Sequence, residues 1–165
     1  VMMDADGQHD PASAPALLAP VMAGECDVTL GSRFKGKMTY HASLIRRMGM
    51  KTFAIITNLL TAQQVTDATS GFQAMNRDVM VFFAKENYPS DYPDADTLIM
   101  LHFAGFKVRE VPVLMHDRIA GDSMHGSSLK NIYYIAKMLL SIFMVYLRYH
   151  TQAGALRPNQ SETVL

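Results

Sequence analysis

The chain opens with VMMDADGQHD (residues 1–10), an apolar run that leads directly into a cluster of carboxylates. Such a run, followed by Asp, Gly and Pro, is typical of a buried strand that ends at a sheet edge, where α/β folds place their ligands. Because side chains alternate along a strand, Asp4 and Asp6 are predicted to project from the same side. A hard divalent ion between them would keep positions open for phosphate oxygens, so the pattern predicts a metal ion that holds a diphosphate. The alternative is a polar turn in which Asp4 or Asp10 caps a helix starting at Pro11, and we expect only Asp10 to do so.

The composition limits the class of protein. With 165 residues, 49% hydrophobic and 18% charged, the chain is long enough for one globular domain with a core. Its 15 basic and 15 acidic residues balance, which gives no reason to expect nucleic acid as a partner. The single cysteine, Cys26, excludes an internal disulfide framework and favours a reducing compartment.

The apolar periodicity predicts alternating helices and strands. Helices are predicted at 11–23, 43–60, 78–85, 94–105 and 129–149, and strands at 27–31 and 106–113 with another beginning at Phe72. The first strand, helix and second strand imply a parallel unit with a right-handed crossover, so strand 27–31 is predicted to end beside Asp4. Pro112 places the 106–113 strand near an edge or a bulge.

Arg33 follows the 27–31 strand directly. Beside Asp4 its guanidinium could neutralise diphosphate oxygens in a bidentate way. The alternative is a surface arginine in a loop rich in glycine and lysine, since residues 35–37 are Lys-Gly-Lys.

Three segments, in order, resemble family 2 glycosyltransferases with the GT-A fold, especially dolichol-phosphate mannose synthases and bacterial polyprenyl-phosphate glycosyltransferases. They are DADGQHDP (residues 4–11), VTDATSGFQAMNR (65–77) and GFKVREVPVLMHDRIAGDSMHG (105–126). The first segment is also similar to haloacid dehalogenase phosphatases, in which its first Asp is the nucleophile. In that family Thr or Val normally follows the Gly, where this chain has Gln8, and the 121–125 turn lacks the second acid that the family needs. Three motifs in family order favour the glycosyltransferases.

The resemblance implies a Rossmann-like α/β fold of the GT-A type, a mostly parallel sheet flanked by helices. It implies an inverting transfer of a sugar from a nucleotide-diphosphate sugar to an acceptor, expected to be a polyprenyl phosphate. Mg²⁺ or Mn²⁺ on Asp4 and Asp6 would stabilise the leaving diphosphate. The alternatives are a non-catalytic scaffold or membrane-association module and, less favoured, the phosphatase.

The resemblance also implies roles for single residues. The implied donor-binding residues are Asp4, Asp6, Gln8 and Arg33. Asp67 and Asp96 are competing candidates for the group that activates or orients the acceptor; the structural alternatives are an Asx turn for Asp67 and a capping or dipole role for Asp96. Arg118 and Ser123 are implied to bind the acceptor or product phosphate. Met124 stands where many members of the family have Lys, which leaves Arg118 as the main basic group of its loop.

The two ends of the chain carry the remaining expectations. Because Val1 already lies in a predicted strand, we expect residues 1–128 to be the C-terminal part of a catalytic domain. The 165-residue chain is expected to be inactive alone and prone to form homo-oligomers through a bare sheet edge. Residues 129–149 are predicted to form an amphipathic helix, and residues 150–165 a flexible tail. The apolar part of the helix is shorter than the roughly 20 residues that cross a bilayer.

A narrow polar line along this helix suits a position in the membrane interface. Its members are Lys130, Tyr134, Lys137, Ser141 and Arg148. Packing into the domain's own core or into a dimer is the alternative. The expected location is cytoplasmic, peripheral on the cytoplasmic face of a membrane.

Overall fold

The computed structural model describes residues 1–35, 44–87, 94–116 and 128–151. In chain order, the elements of these ranges are α1 (Ala14–Met22), preceded by a 3-10 turn (Pro11–Ser13); β1 (Val28–Ser32); α2 (Leu44–Thr61); β2 (Gln73–Met75); α3 (Arg77–Phe82), continued by a π-helical turn (Phe83–Asn87); α4 (Ala95–Phe103); β3 (Val108–Pro112); and α5 (Ser128–Thr151). The helices and the later strands predicted from the sequence agree with these bounds to within a few residues. Asp10 accepts a hydrogen bond from Ala12 N, so its predicted capping role is confirmed.

The sheet of the described residues is mixed rather than mostly parallel. Its order is β2-β1-β3. Strand β1 pairs antiparallel with β2, where Leu30 lies opposite Gln73, and parallel with β3, where Ser32 lies opposite Pro112. Strand β3 lies at an edge of this sheet, which confirms the edge position predicted for the strand of Pro112. Proline is tolerated there because an edge strand does not need a hydrogen-bond donor at every residue.

The first residues correct the prediction of a buried strand beside β1. Met2 forms a single antiparallel bridge with Gln73, and Val1 and Met3 are exposed. Strand β2 therefore lies between this segment and β1, and the two run in the same direction because both are antiparallel to β2. The apolar pattern could not distinguish this from direct pairing, since it specifies a strand but not its neighbour.

Helices cover both faces of β1, which is buried throughout. Leu30 packs into a cluster with residues of α2, α4 and α5. On the opposite face, the Thr29 hydroxyl donates a hydrogen bond to the carbonyl oxygen of Leu17 in α1 at 2.7 Å. The resulting three layers bring the end of β1 and the loop before β2 to the same edge of the sheet as Asp4.

Helix α5 packs against α4 through one face, on which Met138 and Ile142 are buried. Tyr134 and Ser141 also belong to this face, because they donate hydrogen bonds to carboxylates at the start of α4. Tyr134 and Ser141 therefore face α4 rather than a membrane interface, which corrects their predicted surroundings, because buried carboxylates need hydrogen-bond donors.

The other side of α5 presents large apolar side chains to the surface. They are Tyr133, Ile135, Leu139, Leu140, Phe143, Met144, Tyr146 and Leu147. None of the helices in the described ranges is long and apolar enough to cross a membrane. From residue 152 onward, the tail predicted at 150–165 lies outside the described residues.

Candidate functional site

The carboxylate of Asp4 lies against the loop that leads into β2. A Cβ atom added to Gly71 would be 3.2 Å from Asp4 Oδ2, so the glycine is what permits this approach. The backbone N–H of Asp4 donates to His9 Nδ1 at 2.9 Å, and His9 Nε2 lies 4.0 Å from Asp4 Oδ2. The Asp4 side chain still exposes 57% of its surface. Asp4 is thus held at its base while its oxygens stay accessible to a ligand.

His9 is buried and stacks on Phe72, with ring centroids 4.8 Å apart and planes within 12° of parallel. Burial lowers the pKa of His9 below its ordinary value, although the carboxylates of Asp4 and Asp6 oppose that shift. A ring that accepts a hydrogen bond at Nδ1 carries its hydrogen at Nε2, the atom that faces the Asp4 carboxylate. The His9 ring therefore contacts Asp4 at two points, its backbone N–H and its carboxylate.

Asp6 and Gln8 form a tight turn beside Asp4. The backbone N–H of Gln8 donates to Asp6 Oδ1 at 3.0 Å, as in an Asx turn. Gly7, between them, has φ +78°, a conformation that glycine adopts without strain. The carbonyl oxygen of Gln8 accepts a hydrogen bond from His116 N at 2.8 Å, which joins the turn to the chain beyond β3.

Arg33 and Asp67 form a bidentate ion pair at the end of β1. Arg33 Nε and Nη2 donate to the two Asp67 carboxylate oxygens at 2.6 and 2.5 Å. The backbone N–H of Arg33 also donates to Asp67 Oδ2 at 3.0 Å, and Nη2 reaches the hydroxyl of Thr69. Asp67 is fully buried, and only 8% of the Arg33 side chain is exposed. Arg33 is thus not the loop surface residue of the alternative interpretation, and Asp67 acts directly on Arg33.

Glu110 of β3 holds the backbone that carries Asp67. Its Oε1 accepts hydrogen bonds from Thr66 N, Thr66 Oγ1 and Asp67 N at 2.8 to 2.9 Å. Its Oε2 lies 3.6 Å from Lys35 Nζ, and the Thr66 hydroxyl is also 2.9 Å from that of Ser32. One buried carboxylate therefore connects β3, the loop before β2 and the end of β1.

A second pair of carboxylates lies at the start of α4, where Asp94 is the N-cap residue. Asp94 Oδ2 accepts a hydrogen bond from Tyr134 at 2.7 Å. Asp96 accepts from Thr97 N at 2.8 Å and from Ser141. Burial raises the pKa of Asp94 to about 6, the Tyr134 hydrogen bond opposes that rise, and the charge of Asp96 adds to it. Both carboxylates are thus bound to helix α5.

Asp4 and Arg33 contact the same loop before β2, Asp4 at Gly71 and Arg33 at the hydroxyl of Thr69. The charges of Asp4, Asp6, Arg33 and Asp67 all act on His9. Those of Arg33 and Asp4 also act on Asp94. The structure therefore brings together most of the residues expected in the site, whereas Arg118 and Ser123 lie outside the described residues.

The side chains that could coordinate a metal ion limit the kind of metal site that can form here. Within the described ranges, no cluster of three or more His, Cys, Asp or Glu side chains could hold a metal ion. Asp4 offers an accessible carboxylate on a fixed base, and Asp6 follows two residues later in the adjoining turn. These residues fit an ion that takes most of its ligands from water or phosphate, as Mg²⁺ commonly does.

Sequence comparison identifies curated relatives of this chain. An N-acetylglucosaminyltransferase of Methanococcus voltae, named for UDP-N-acetylglucosamine and dolichyl phosphate, is 27% identical over 115 residues, which are 68% of this chain and 46% of the relative. A polyprenol monophosphomannose synthase of Mycolicibacterium smegmatis is 31% identical over 134 residues, 79% of this chain and 50% of the relative. The chain is thus similar to two proteins whose names give a sugar transferred to dolichyl phosphate or to a polyprenol phosphate.

Two further results complete the comparison. An uncharacterized protein of Methanocaldococcus jannaschii is 29% identical over 115 residues, 68% of this chain and 47% of the relative. The chain therefore spans about half the length of the curated relatives it matches. No family model matches the chain.

Sequence reasoning did not give roles to His9, Glu110 or Tyr134 in the site. Its position directly after the carboxylate turn is the sequence feature that could have identified His9 as a site residue. Glu110 was matched only as part of a motif on a strand predicted to be half exposed, and its burial depends on donors far away in sequence. Tyr134 is predicted on the polar line of a helix at the membrane interface and not in the site.

Proposed function

We propose that this protein transfers a sugar, with inversion, from a nucleotide-diphosphate sugar to a polyprenyl phosphate. The observation that carries the proposal is the joint position of Asp4 and the Arg33–Asp67 pair at one sheet edge, in a chain similar to two curated relatives named for such lipid phosphates. The likeness extends over about half of those relatives, so the donor, the acceptor and the reaction belong to the proposal.

Asp4, Asp6 and Gln8 form the donor end of the proposed site. Mg²⁺ or Mn²⁺ bound there would offset the negative charge that develops on the leaving diphosphate. The chain's own contribution is to restrain these residues: the backbone N–H of Asp4 donates to His9, and Asp6 Oδ1 accepts the N–H of Gln8. Residues restrained in this way lose less conformational entropy when the donor binds.

Arg33 supplies the positive charge of the proposed site, and Asp67 orients it. With both carboxylate oxygens of Asp67 bound to the guanidinium, its geometry supports an orienting role rather than that of a free proton acceptor. A phosphate acceptor is consistent with this assignment, because it is already anionic and does not need a strong base. Asp96 is the second candidate base, at the start of α4.

The acceptor is proposed to approach from a membrane surface. The exposed apolar side of α5 supports peripheral contact with a membrane, proposed to be at its cytoplasmic face, and Asp94 and Asp96 connect this helix to the site. Arg118 and Ser123 are proposed to bind the acceptor phosphate. The polyprenyl chain would then remain in the lipid while its phosphate reaches the sheet edge.

Titration with Mn²⁺, followed by the electron paramagnetic resonance signal of the free ion, tests the donor site. We expect weak binding of Mn²⁺ alone and tighter binding with inorganic pyrophosphate, because two carboxylates leave most positions to other ligands. Asp6→Ala should lose the pyrophosphate-dependent binding. Asp78→Ala is the matched control, since it removes an exposed carboxylate from the first turn of α3. Wild-type binding by Asp6→Ala would contradict the assignment.

A further inference from the structure

We infer that His9 is a positioning residue for Asp4, the first carboxylate of the proposed donor site. The inference rests on the proposed function. It starts from the contacts of the imidazole: Nδ1 accepts the backbone N–H of Asp4 at 2.9 Å, and Nε2 lies 4.0 Å from Asp4 Oδ2. One ring therefore meets both the backbone and the carboxylate of the same residue.

The ring is itself held on two sides. It stacks on Phe72, the residue after the glycine that lies against the Asp4 carboxylate. The backbone of His9 forms an antiparallel bridge with Met115, beyond the end of β3. Only 6% of the His9 side chain is exposed, in contrast to 57% for Asp4. His9 thus holds the backbone of Asp4 from a buried position, while the Asp4 carboxylate stays open to solvent.

The chemistry of this position selects histidine. The residue must accept a hydrogen bond from Asp4 N, present a hydrogen toward the Asp4 carboxylate, and offer a flat face to Phe72. Phenylalanine provides only the flat face. Asparagine provides the acceptor, because its Oδ1 lies close to where Nδ1 lies in histidine, but it gives up the ring stack. These two substitutions therefore separate a positioning role from a packing role.

The experiment compares wild type, His9→Phe and His9→Asn by Mn²⁺ titration in the presence of inorganic pyrophosphate, with thermal unfolding of each protein measured in parallel. Loss of a residue that orients a metal ligand commonly lowers metal affinity about 10- to 100-fold. We expect a loss of that order for His9→Phe and a smaller loss for His9→Asn. We expect the opposite order in thermal stability, because only Phe keeps the stack on Phe72.

A spectroscopic measurement on the metal-free protein gives a second readout. Long-range proton–nitrogen NMR spectra should show the His9 hydrogen on Nε2, and the Asp4 amide should exchange more rapidly in His9→Phe than in His9→Asn. Wild-type affinity for Mn²⁺ and pyrophosphate in His9→Phe, or a His9 hydrogen on Nδ1, would overturn the inference. Wild-type protein that does not bind Mn²⁺ in the presence of pyrophosphate would instead overturn the proposed function.

Discussion

Replacing Asp94 with Asn should remove a loss of stability that the wild-type protein shows between about pH 4 and pH 6. Asp94 is buried at the start of α4, and burial raises its pKa from the ordinary value of 3.8 to about 6. In this window the folded protein keeps the proton that the unfolded chain has released, so stability falls as pH rises and is level above the window. The difference of about two pKa units corresponds to about 3 kcal/mol.

Urea unfolding followed by circular dichroism at pH 4, 5, 6 and 7 measures this contribution as the difference between wild type and Asp94→Asn. The advantage of the variant should grow with pH by up to about 3 kcal/mol and then remain constant. Tyr134→Phe is the companion variant, because loss of the hydrogen bond that lowers the pKa of Asp94 should extend the window to higher pH. Parallel pH profiles for wild type and Asp94→Asn would contradict a raised pKa of Asp94 in the folded protein.

Three further predictions concern the ion pair, the glutamate of β3 and helix α5. Asp67→Ala should destabilise the fold by about 3–5 kcal/mol because it removes the carboxylate that pairs with the buried Arg33 guanidinium. A double-mutant cycle with Arg33→Ala should show strong coupling, and additive losses would contradict this. Glu110→Ala should lower the urea midpoint more than Glu110→Gln, which keeps an acceptor for the buried N–H groups; equal midpoints would count against the network. The wild type should sediment with anionic liposomes and Leu140→Glu should not. The melting temperature of Leu140→Glu should be unchanged because Leu140 is 62% exposed, whereas Ile142→Glu, on the packed side, should unfold. Wild-type protein that stays in the supernatant at low salt would contradict membrane contact.

Local patterns predicted the elements of this fold because each leaves its signal in nearby residues. The helix predicted at 78–85, for example, is observed at Arg77–Phe82 with a π-helical continuation. Asn76 caps this helix, because its side chain accepts a hydrogen bond from Val79 N. The neighbours of the first segment could not be predicted in the same way. An apolar run before Asp4 looks alike whether it pairs with β1 or with β2, and the choice depends on the position of residues about seventy places away.

In the candidate site, too, the sequence indicates single residues but not their partners. Asp4, Asp6, Arg33 and Asp67 could be nominated from sequence, but the bond between Arg33 and Asp67 joins residues 34 positions apart. An isolated pattern treats each residue separately, whereas the fold joins them in one bidentate ion pair in which Asp67 orients Arg33. Glu110 behaves similarly, because only tertiary structure places three donors around one of its oxygens.

Helix α5 has a polar line that is visible in the sequence, but the surface that this line contacts was predicted incorrectly. The helical projection placed Tyr134 and Ser141 on a polar line, which is correct as geometry. Which surface faces that line depends on the carboxylates of Asp94 and Asp96, about forty residues earlier, whose burial requires hydrogen-bond donors.

Product analysis is the most direct test of sugar transfer to a lipid phosphate. The protein, in its natural length, would be incubated with Mg²⁺ or Mn²⁺, a short polyprenyl phosphate and a panel of UDP- and GDP-sugars, and the lipid phase examined by mass spectrometry. We predict a polyprenyl-phosphate-linked sugar from at least one donor, formed only with added metal and lost in Asp6→Asn but not in Asp78→Asn. Absence of a lipid-linked product with every donor, or full activity in Asp6→Asn, would contradict the account.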